Sequence, residues 1–201
     1  KPKKVNPDIK KLKPLTTDLF KVTIGADDEQ KVPKMLKAKS TKTAVQKKFD
    51  LYDESTLELA IDKLKTTDHI NVFCDGGARG NPGNAGIGVV LCDAESIPVC
   101  GLHKNLGYMT NNQAEYNGLI YALQVLADNK LTQTPITIYM DSELVIKQIT
   151  GIYRIQNPQL IELFATARSL LGQFAKYRLQ HIPREQNSIA DKLANQAMDE
   201  A

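Results

Sequence analysis

The sequence predicts an α/β domain, with one mixed β-sheet and helices packed on its faces, preceded by a lysine-rich extension. Three observations lead to this fold class. From residue 70 onward, short apolar runs and segments of helical periodicity follow one another in the order βββαβααβα. Residues 1–70 hold 16 Lys, no Arg and 11 Asp+Glu, whereas every glycine except Gly25 lies after them. The length of 201 residues suits one such domain with an appendage. The change in composition places a boundary near 67–69, dividing the chain into 1–69 and 70–201.

The extension, residues 1–69, carries only local signals of structure. Ser55 and Glu58 have the spacing of a capping box, and apolar residues at helical spacing follow them. Residues 41–49 predict a shorter helix, 19–24 a strand, and 1–17 a flexible lead-in. The positive charge is typical of a segment that binds a polyanion such as nucleic acid, and equally of a solvated tail that only aids solubility.

The elements of the domain are predicted by periodicity, in chain order. Three strands come first, joined by short turns as a meander, and the first of them ends in Asp-Gly-Gly. A long helix, a strand rich in β-branched residues, two helices, a strand and a last helix follow. The predicted ranges are strands 70–74, 86–92 and 96–106, helix 111–128, strand 136–140, helices 143–149 and 159–174, strand 177–182 and helix 188–198.

Composition excludes several classes of protein. Apolar residues make up 42% and charged residues 24%, a globular balance, and no apolar run reaches the roughly 18 residues of a membrane span. Cys74, Cys92 and Cys100 lie in separate apolar runs, so we expect reduced core thiols of a cytoplasmic protein without disulfides or zinc. No signal peptide is visible, although the chain does not begin with Met and could be a fragment.

Four acidic residues occupy positions that predict a metal site. Asp75 and Asp141 each directly follow an apolar strand, where open α/β sheets place their ligand sites. Glu115 lies near the start of the long helix and Asp191 in the first turn of the last one. Singly, each has an ordinary explanation as a turn or helix-start residue. Together, four hard oxygen ligands indicate Mg²⁺.

Four segments around these acids resemble the motifs of type 1 ribonuclease H, in that family's order. The resemblance covers essentially all of 70–200 and is closest to a shorter, archaeal-like branch. The segments are Asp75-Gly-Gly-Ala-Arg-Gly-Asn-Pro-Gly83, Thr110-Asn-Asn-Gln-Ala-Glu115-Tyr, Tyr139-Met-Asp141-Ser142, and the stretch from His181-Ile-Pro-Arg184 through Asn187 and Asp191 to Asn195.

The resemblance implies a fold and an activity. The fold would be a five-stranded mixed sheet in the order 3-2-1-4-5 with helices on both faces. The activity would be endonucleolytic hydrolysis of the RNA strand of an RNA–DNA hybrid, leaving 5′-phosphate and 3′-hydroxyl ends. Asp75, Glu115, Asp141 and Asp191 carry over as catalytic ligands of two Mg²⁺ ions, for which Mn²⁺ could substitute.

Substrate contacts are implied by the same motifs. Glycines in the first segment would let backbone groups approach the RNA, where the 2′-hydroxyl distinguishes RNA from DNA. The asparagines resemble positions that contact the hybrid in its minor groove, although turn or capping chemistry also explains them. The implied substrate-binding residues are Gly76, Gly77, Arg79, Asn81, Asn111 and Asn112.

This sequence departs from the family pattern between the third and fourth motifs. Residues 151–158 are short and the chain has no Trp, so the basic protrusion of many bacterial members is missing. Lys147 and Arg154 are weak substitutes, and the lysine-rich extension could compensate. The auxiliary catalytic residue is either His181, ten residues before Asp191, or Arg184, seven before it, and the His-x-Pro-Arg unit favours Arg184.

The expected partner is an RNA–DNA hybrid, bound by a monomer that contacts no membrane. Two other functions remain open. One is the ribonuclease H domain of a longer reverse-transcriptase-like protein, and the other is a catalytically weak relative that only binds nucleic acid.

Overall fold

The computed structural model describes residues 54–200, with side chains from residue 57 onward. The predicted strand 19–24, helix 41–49 and lead-in 1–17 lie outside the described residues. The described elements are α1 (Glu54–Lys65), β1 (Ile70–Gly80), β2 (Gly83–Cys92), β3 (Pro98–Met109), α2 (Asn111–Asp128), β4 (Ile136–Met140), α3 (Glu143–Ile149), α4 (Pro158–Leu171), β5 (Tyr177–His181), a 3₁₀ turn (Arg184–Gln186) and α5 (Ser188–Asp199).

The five strands form one mixed sheet in the order β3-β2-β1-β4-β5, which confirms the predicted topology. β1 and β2 pair antiparallel, as do β2 and β3, whereas β1, β4 and β5 run parallel. Helices cover both faces. Alternate residues of β1 therefore enter two cores: Val72 lies in the larger one with α1–α4, and Phe73 in the smaller one beneath α5.

The first two strands are longer than predicted. β1 continues past Cys74 to Gly80, so Asp75 lies within the strand, paired with Gly88, and does not follow it. The glycine-rich segment is consequently half of a hairpin with β2 and not a loop. Apolar periodicity does not reveal this, because the backbone of Gly76, Gly77 and Ala78 pairs without contributing large apolar side chains.

Helix α1 shares the larger core, although composition put the boundary after it. Ala60, Ile61 and Leu64 are buried there. The predicted helix is confirmed, but it begins at Glu54, which places Ser55 inside its first turn. Within the described part of the chain, every helix is too short or too polar to span a bilayer.

Candidate active site

The four predicted acids, Asp75, Glu115, Asp141 and Asp191, line one cavity of about 280 Å³. They come from four separate elements: β1, α2, the end of β4 and α5. The parallel register of β1 and β4 pairs Phe73 with Tyr139, two residues before Asp75 and Asp141 respectively. The two aspartates therefore lie side by side on neighbouring strands.

Glycines let the two helices approach the sheet closely enough to bring their acids to the cavity. A methyl group at Gly76 would overlap the backbone carbonyl of Ala114, and one at Gly118 would lie 2.7 Å from the backbone oxygen of Asp75. Both glycines keep α2 against β1, which places Glu115 beside Asp75. Gly88 on β2 has the same role under α5, where a methyl group would overlap the backbone of Ala190.

Each of three carboxylates accepts hydrogen bonds from neighbouring side chains. Glu115 accepts from the Ser142 hydroxyl (2.6 Å) and from Asn111 Nδ2 (3.2 Å). Asp141 accepts from Asn187 Nδ2 (2.7 Å). Asp191 accepts from Arg184 Nη2 (2.6 Å) and from Asn195 Nδ2 (3.3 Å).

The electrostatics of the site disfavour four ionised carboxylates without a cation. Burial, followed by the charge of Asp141, raises the pKa of Asp75 to about 7, although a backbone hydrogen bond from Gly76 opposes the shift. Burial also raises the pKa of Glu115, against the opposing hydrogen bond from Ser142. The site therefore stabilises protonated acids or bound positive charge.

The structure brings most of the predicted residues to this cavity, but not all. Arg184 lines it, whereas His181, the exposed last residue of β5, does not. Asn112 is exposed and also does not line it, and Asn81 Oδ1 accepts a hydrogen bond from the backbone N–H of Asn111 (3.1 Å). The predicted substrate residues that line the cavity are Gly76, Gly77, Arg79 and Asn111.

The asparagine pair does not cap α2. Thr110 is the N-cap: its side chain accepts from Gln113 N–H (3.4 Å), and Gln113 Oε1 accepts from Thr110 N–H (2.9 Å). Asn111 does not cap the helix because the hydroxyl of Thr110, one residue earlier, does so. Its Oδ1 instead accepts from Ala78 N–H (3.3 Å) while its Nδ2 donates to Glu115, so Asn111 links β1 to α2.

Asn187 has a role that sequence reasoning missed. It is fully buried, and its side-chain Nδ2 donates to the backbone oxygen of Cys74 (3.1 Å) as well as to Asp141. Its backbone carbonyl accepts from Asp191 N–H (3.0 Å). One residue thus links the strand of Asp75, the carboxylate of Asp141 and the helix of Asp191. The hydrogen bonds that Ser142 and Asn195 donate to the carboxylates of Glu115 and Asp191 were also not predicted. The available signal was that Ser142 directly follows Asp141 and that Asn195 lies four residues after Asp191.

A mixed sheet of this order, with four carboxylates around one cavity at β1 and β4, defines the ribonuclease H-like class. Residues 73–197 match the family described as reverse transcriptase-like. The chain belongs to this ribonuclease H-like family, as the motifs indicated.

Relatives and solved structures agree with this assignment. A bifunctional protein of Mycobacterium tuberculosis is 43% identical over 131 residues, which are 65% of this chain and 35% of that protein. Ribonuclease HI of Halobacterium salinarum is 41% identical over 66% of this chain and 65% of its own, and the similarity to its crystal structure has a TM-score of 0.63. An RNase H1 from compost, solved in complex with an RNA/DNA hybrid, is 41% identical over 65% of this chain and 97% of its own, with a TM-score of 0.62. The aligned part thus spans about a third of the mycobacterial protein.

Proposed function

We propose that this chain is an endoribonuclease that hydrolyses the RNA strand of RNA–DNA hybrids with two Mg²⁺ ions, for which Mn²⁺ can substitute. Its products are 5′-phosphate and 3′-hydroxyl ends. The observation that carries the proposal is the convergence of four carboxylates, from four elements, on one cavity of a ribonuclease H-like fold.

The residues present fit Mg²⁺ by their chemistry. All four are hard oxygen donors, and the raised pKa of Asp75 indicates that a cation there would be favourable. Within residues 54–200, no three carboxylate, imidazole or thiol groups stand close enough together to hold one ion. The negative charges of the four carboxylates repel one another. Glu115, Asp141 and Asp191 accept hydrogen bonds from neighbouring side chains, so Mg²⁺ must compete with those hydrogen bonds.

The residues of this chain divide the work of the reaction. Bound Mg²⁺ supplies activation of the attacking water and stabilisation of the leaving 3′ oxygen in an in-line displacement. Ser142, Asn187 and Asn195 hold carboxylates in place by donating hydrogen bonds to them. Arg184 keeps its charge at neutral pH, so it binds a phosphate oxygen and does not act as a base.

The hybrid is the proposed substrate because a relative of 41% identity was solved with one bound. Gly77 supports contact with RNA. A methyl group there would meet only Met198 Cε at 3.7 Å and Asn111 Oδ1 at 3.9 Å, both ordinary contacts, so packing does not require glycine. Its bare backbone is therefore available to a 2′-hydroxyl.

Assembly and location form the remainder of the proposal. All four acids belong to one chain, so a single copy suffices to form the site, and we propose that the protein acts as a monomer. Its three cysteines are buried free thiols, which suits the reducing cytoplasm.

The test is cleavage of three labelled substrates, an RNA–DNA hybrid, duplex RNA and duplex DNA, by the parent chain and by Asp141→Asn. Asparagine keeps an oxygen acceptor for Asn187 but loses the charge. We expect Mg²⁺-dependent cleavage of the hybrid's RNA strand alone, with 5′-phosphate ends, and none by the variant. Hybrid binding without cleavage by the parent would support the weak-relative alternative, and equal cleavage by the variant would contradict the metal assignment.

A further inference from the structure

Both cationic side chains that line the cavity are already paired with an aspartate. Arg184 pairs with Asp191, one of the four acids. Arg79 pairs with Asp199, the last residue of α5, which is not among the residues lining the cavity. Asp199 occupies Nη2 of Arg79 and neutralises the charge that Arg79 would otherwise present to a substrate phosphate.

The position of Asp199 has no evident benefit for the helix that carries it. Negative charge at a helix C-terminus is unfavourable, because that end already carries partial negative charge. The end of α5 is held by other contacts: Asn84 Nδ2 donates to the backbone oxygen of Met198 (2.7 Å), and Asn105 Nδ2 to that of Ala197 (2.9 Å). These bonds hold the backbone at the end of α5 independently of the ion pair between Arg79 and Asp199.

The pair is exposed enough to exchange. The Arg79 side chain is 53% exposed and that of Asp199 is 58% exposed, and ion pairs of such exposure are weak. A backbone phosphodiester presents the guanidinium with the same paired acceptors as a carboxylate and with the same single negative charge. A nucleic-acid backbone entering the cavity can therefore displace the aspartate.

We propose that Asp199 is an internal competitor that occupies Arg79 in the place of a backbone phosphate of the RNA–DNA hybrid. Substrate binding exchanges the carboxylate for the phosphate, and Asp199 thereby lowers affinity for any polyanion that binds through Arg79. This inference rests on the proposed function.

The experiment measures the affinity of a short labelled RNA–DNA hybrid by fluorescence anisotropy, in chelator and at low salt. Asp199→Asn is compared with the parent, with Arg79→Ala and with the double variant. Glu200→Gln is the matched control, since it removes the same charge from the same helix end but from a residue that pairs with His103. We expect Asp199→Asn to bind about two- to fivefold more tightly, and only when Arg79 is present.

Three results would overturn the inference: unchanged or weaker binding by Asp199→Asn, an equal gain in Glu200→Gln, or a gain that persists without Arg79. Weaker binding would mean that Asp199 holds Arg79 ready for the substrate. A parent chain that neither binds nor cleaves the hybrid would contradict the proposed function itself.

Discussion

Burial and the neighbouring Asp141 disfavour the ionised form of Asp75, and a backbone hydrogen bond from Gly76 offsets this only in part. The Asp75 pKa of about 7 lies above the ordinary value near 4, so the folded state binds the proton more tightly than the unfolded state. The contribution of the protonated Asp75 to the free energy of unfolding is fully present below about pH 4 and is lost as the pH rises to about 7.

Asp75→Asn should therefore be inactive yet more stable than the parent in chelator. We expect a gain of about 1–3 kcal/mol at pH 8, shrinking toward zero near pH 4, since one pKa unit is worth about 1.4 kcal/mol. Urea unfolding across this pH range measures it. Asp128→Asn, at an exposed residue ending α2, is the control and should change stability by no more than about 0.5 kcal/mol. A less stable Asp75→Asn would assign the residue a structural role.

Gly76 and Gly77 are neighbours with different reasons for being glycine. Gly77→Ala should fold normally and raise KM for the hybrid by roughly fivefold, which corresponds to the absence of one hydrogen bond worth about 1 kcal/mol. Gly76→Ala should lose about 1–3 kcal/mol of stability, because its methyl group overlaps the backbone of α2. Steady-state kinetics and urea unfolding separate the two. If the Gly77→Ala variant had the same kinetics as the parent, the proposed contact between Gly77 and the substrate would be contradicted.

Arg184 and His181 differ in their position relative to the cavity: Arg184 lines it and His181 does not. Arg184→Ala should lower kcat at saturating hybrid by at least about tenfold, since a charged donor at the cavity is removed. His181→Ala should lower it less than about threefold, because His181 is exposed and away from the cavity. Arg184→Lys, which keeps the charge without the planar fork, should recover part of the rate. The larger loss in His181→Ala would reverse the assignment.

At the scale of elements, the sequence predicted the helices well and the hairpin poorly. Helix α2 has the predicted bounds because apolar residues repeat along it and Thr110 and Gln113 fix its start. The continuation of β1 to Gly80 escaped prediction, since strand pairing there depends on the facing backbone of β2. The four acids were recognised from their positions after predicted strands and at the starts of predicted helices, and then from their motifs. Asn187 was not, because its role depends on contacts with residues 46 and 113 positions away along the chain.

Helix α1 offers an internal comparison of two leucines. Leu64 is fully buried against the sheet, whereas Leu59 is 71% exposed. Leu64→Ala should cost about 2–4 kcal/mol of unfolding free energy, and Leu59→Ala less than about 0.5 kcal/mol. Urea unfolding of both variants measures this difference. Equal effects would mean that α1 does not dock on the domain, and that the boundary near 67–69 marks its true start.

The charge of the whole molecule is divided unequally. Residues 71–201 carry 10 Lys+Arg against 12 Asp+Glu, and α3 and α4 are joined by residues 150–157 alone, with no further helix or protrusion. Residues 1–53 contain 14 Lys and seven Asp+Glu. We propose that this basic arm supplies phosphate contacts that the domain lacks.

Deleting residues 1–53, which leaves α1 and its core packing in place, should weaken binding of the hybrid mainly at low salt. The slope of log affinity against log salt should become shallower by about 0.9 for every phosphate that the arm's lysines neutralise in chain 1–201. The rate at saturating substrate should be unchanged, because all four acids lie beyond the deletion. Hybrid affinity of chains 1–201 and 54–201 across a salt series is the measurement. A chain 1–201 with the 14 arm lysines changed to glutamine should behave like the deletion if charge is the cause. Identical slopes for the three chains would leave the arm as a solubility tail or a site for a protein partner.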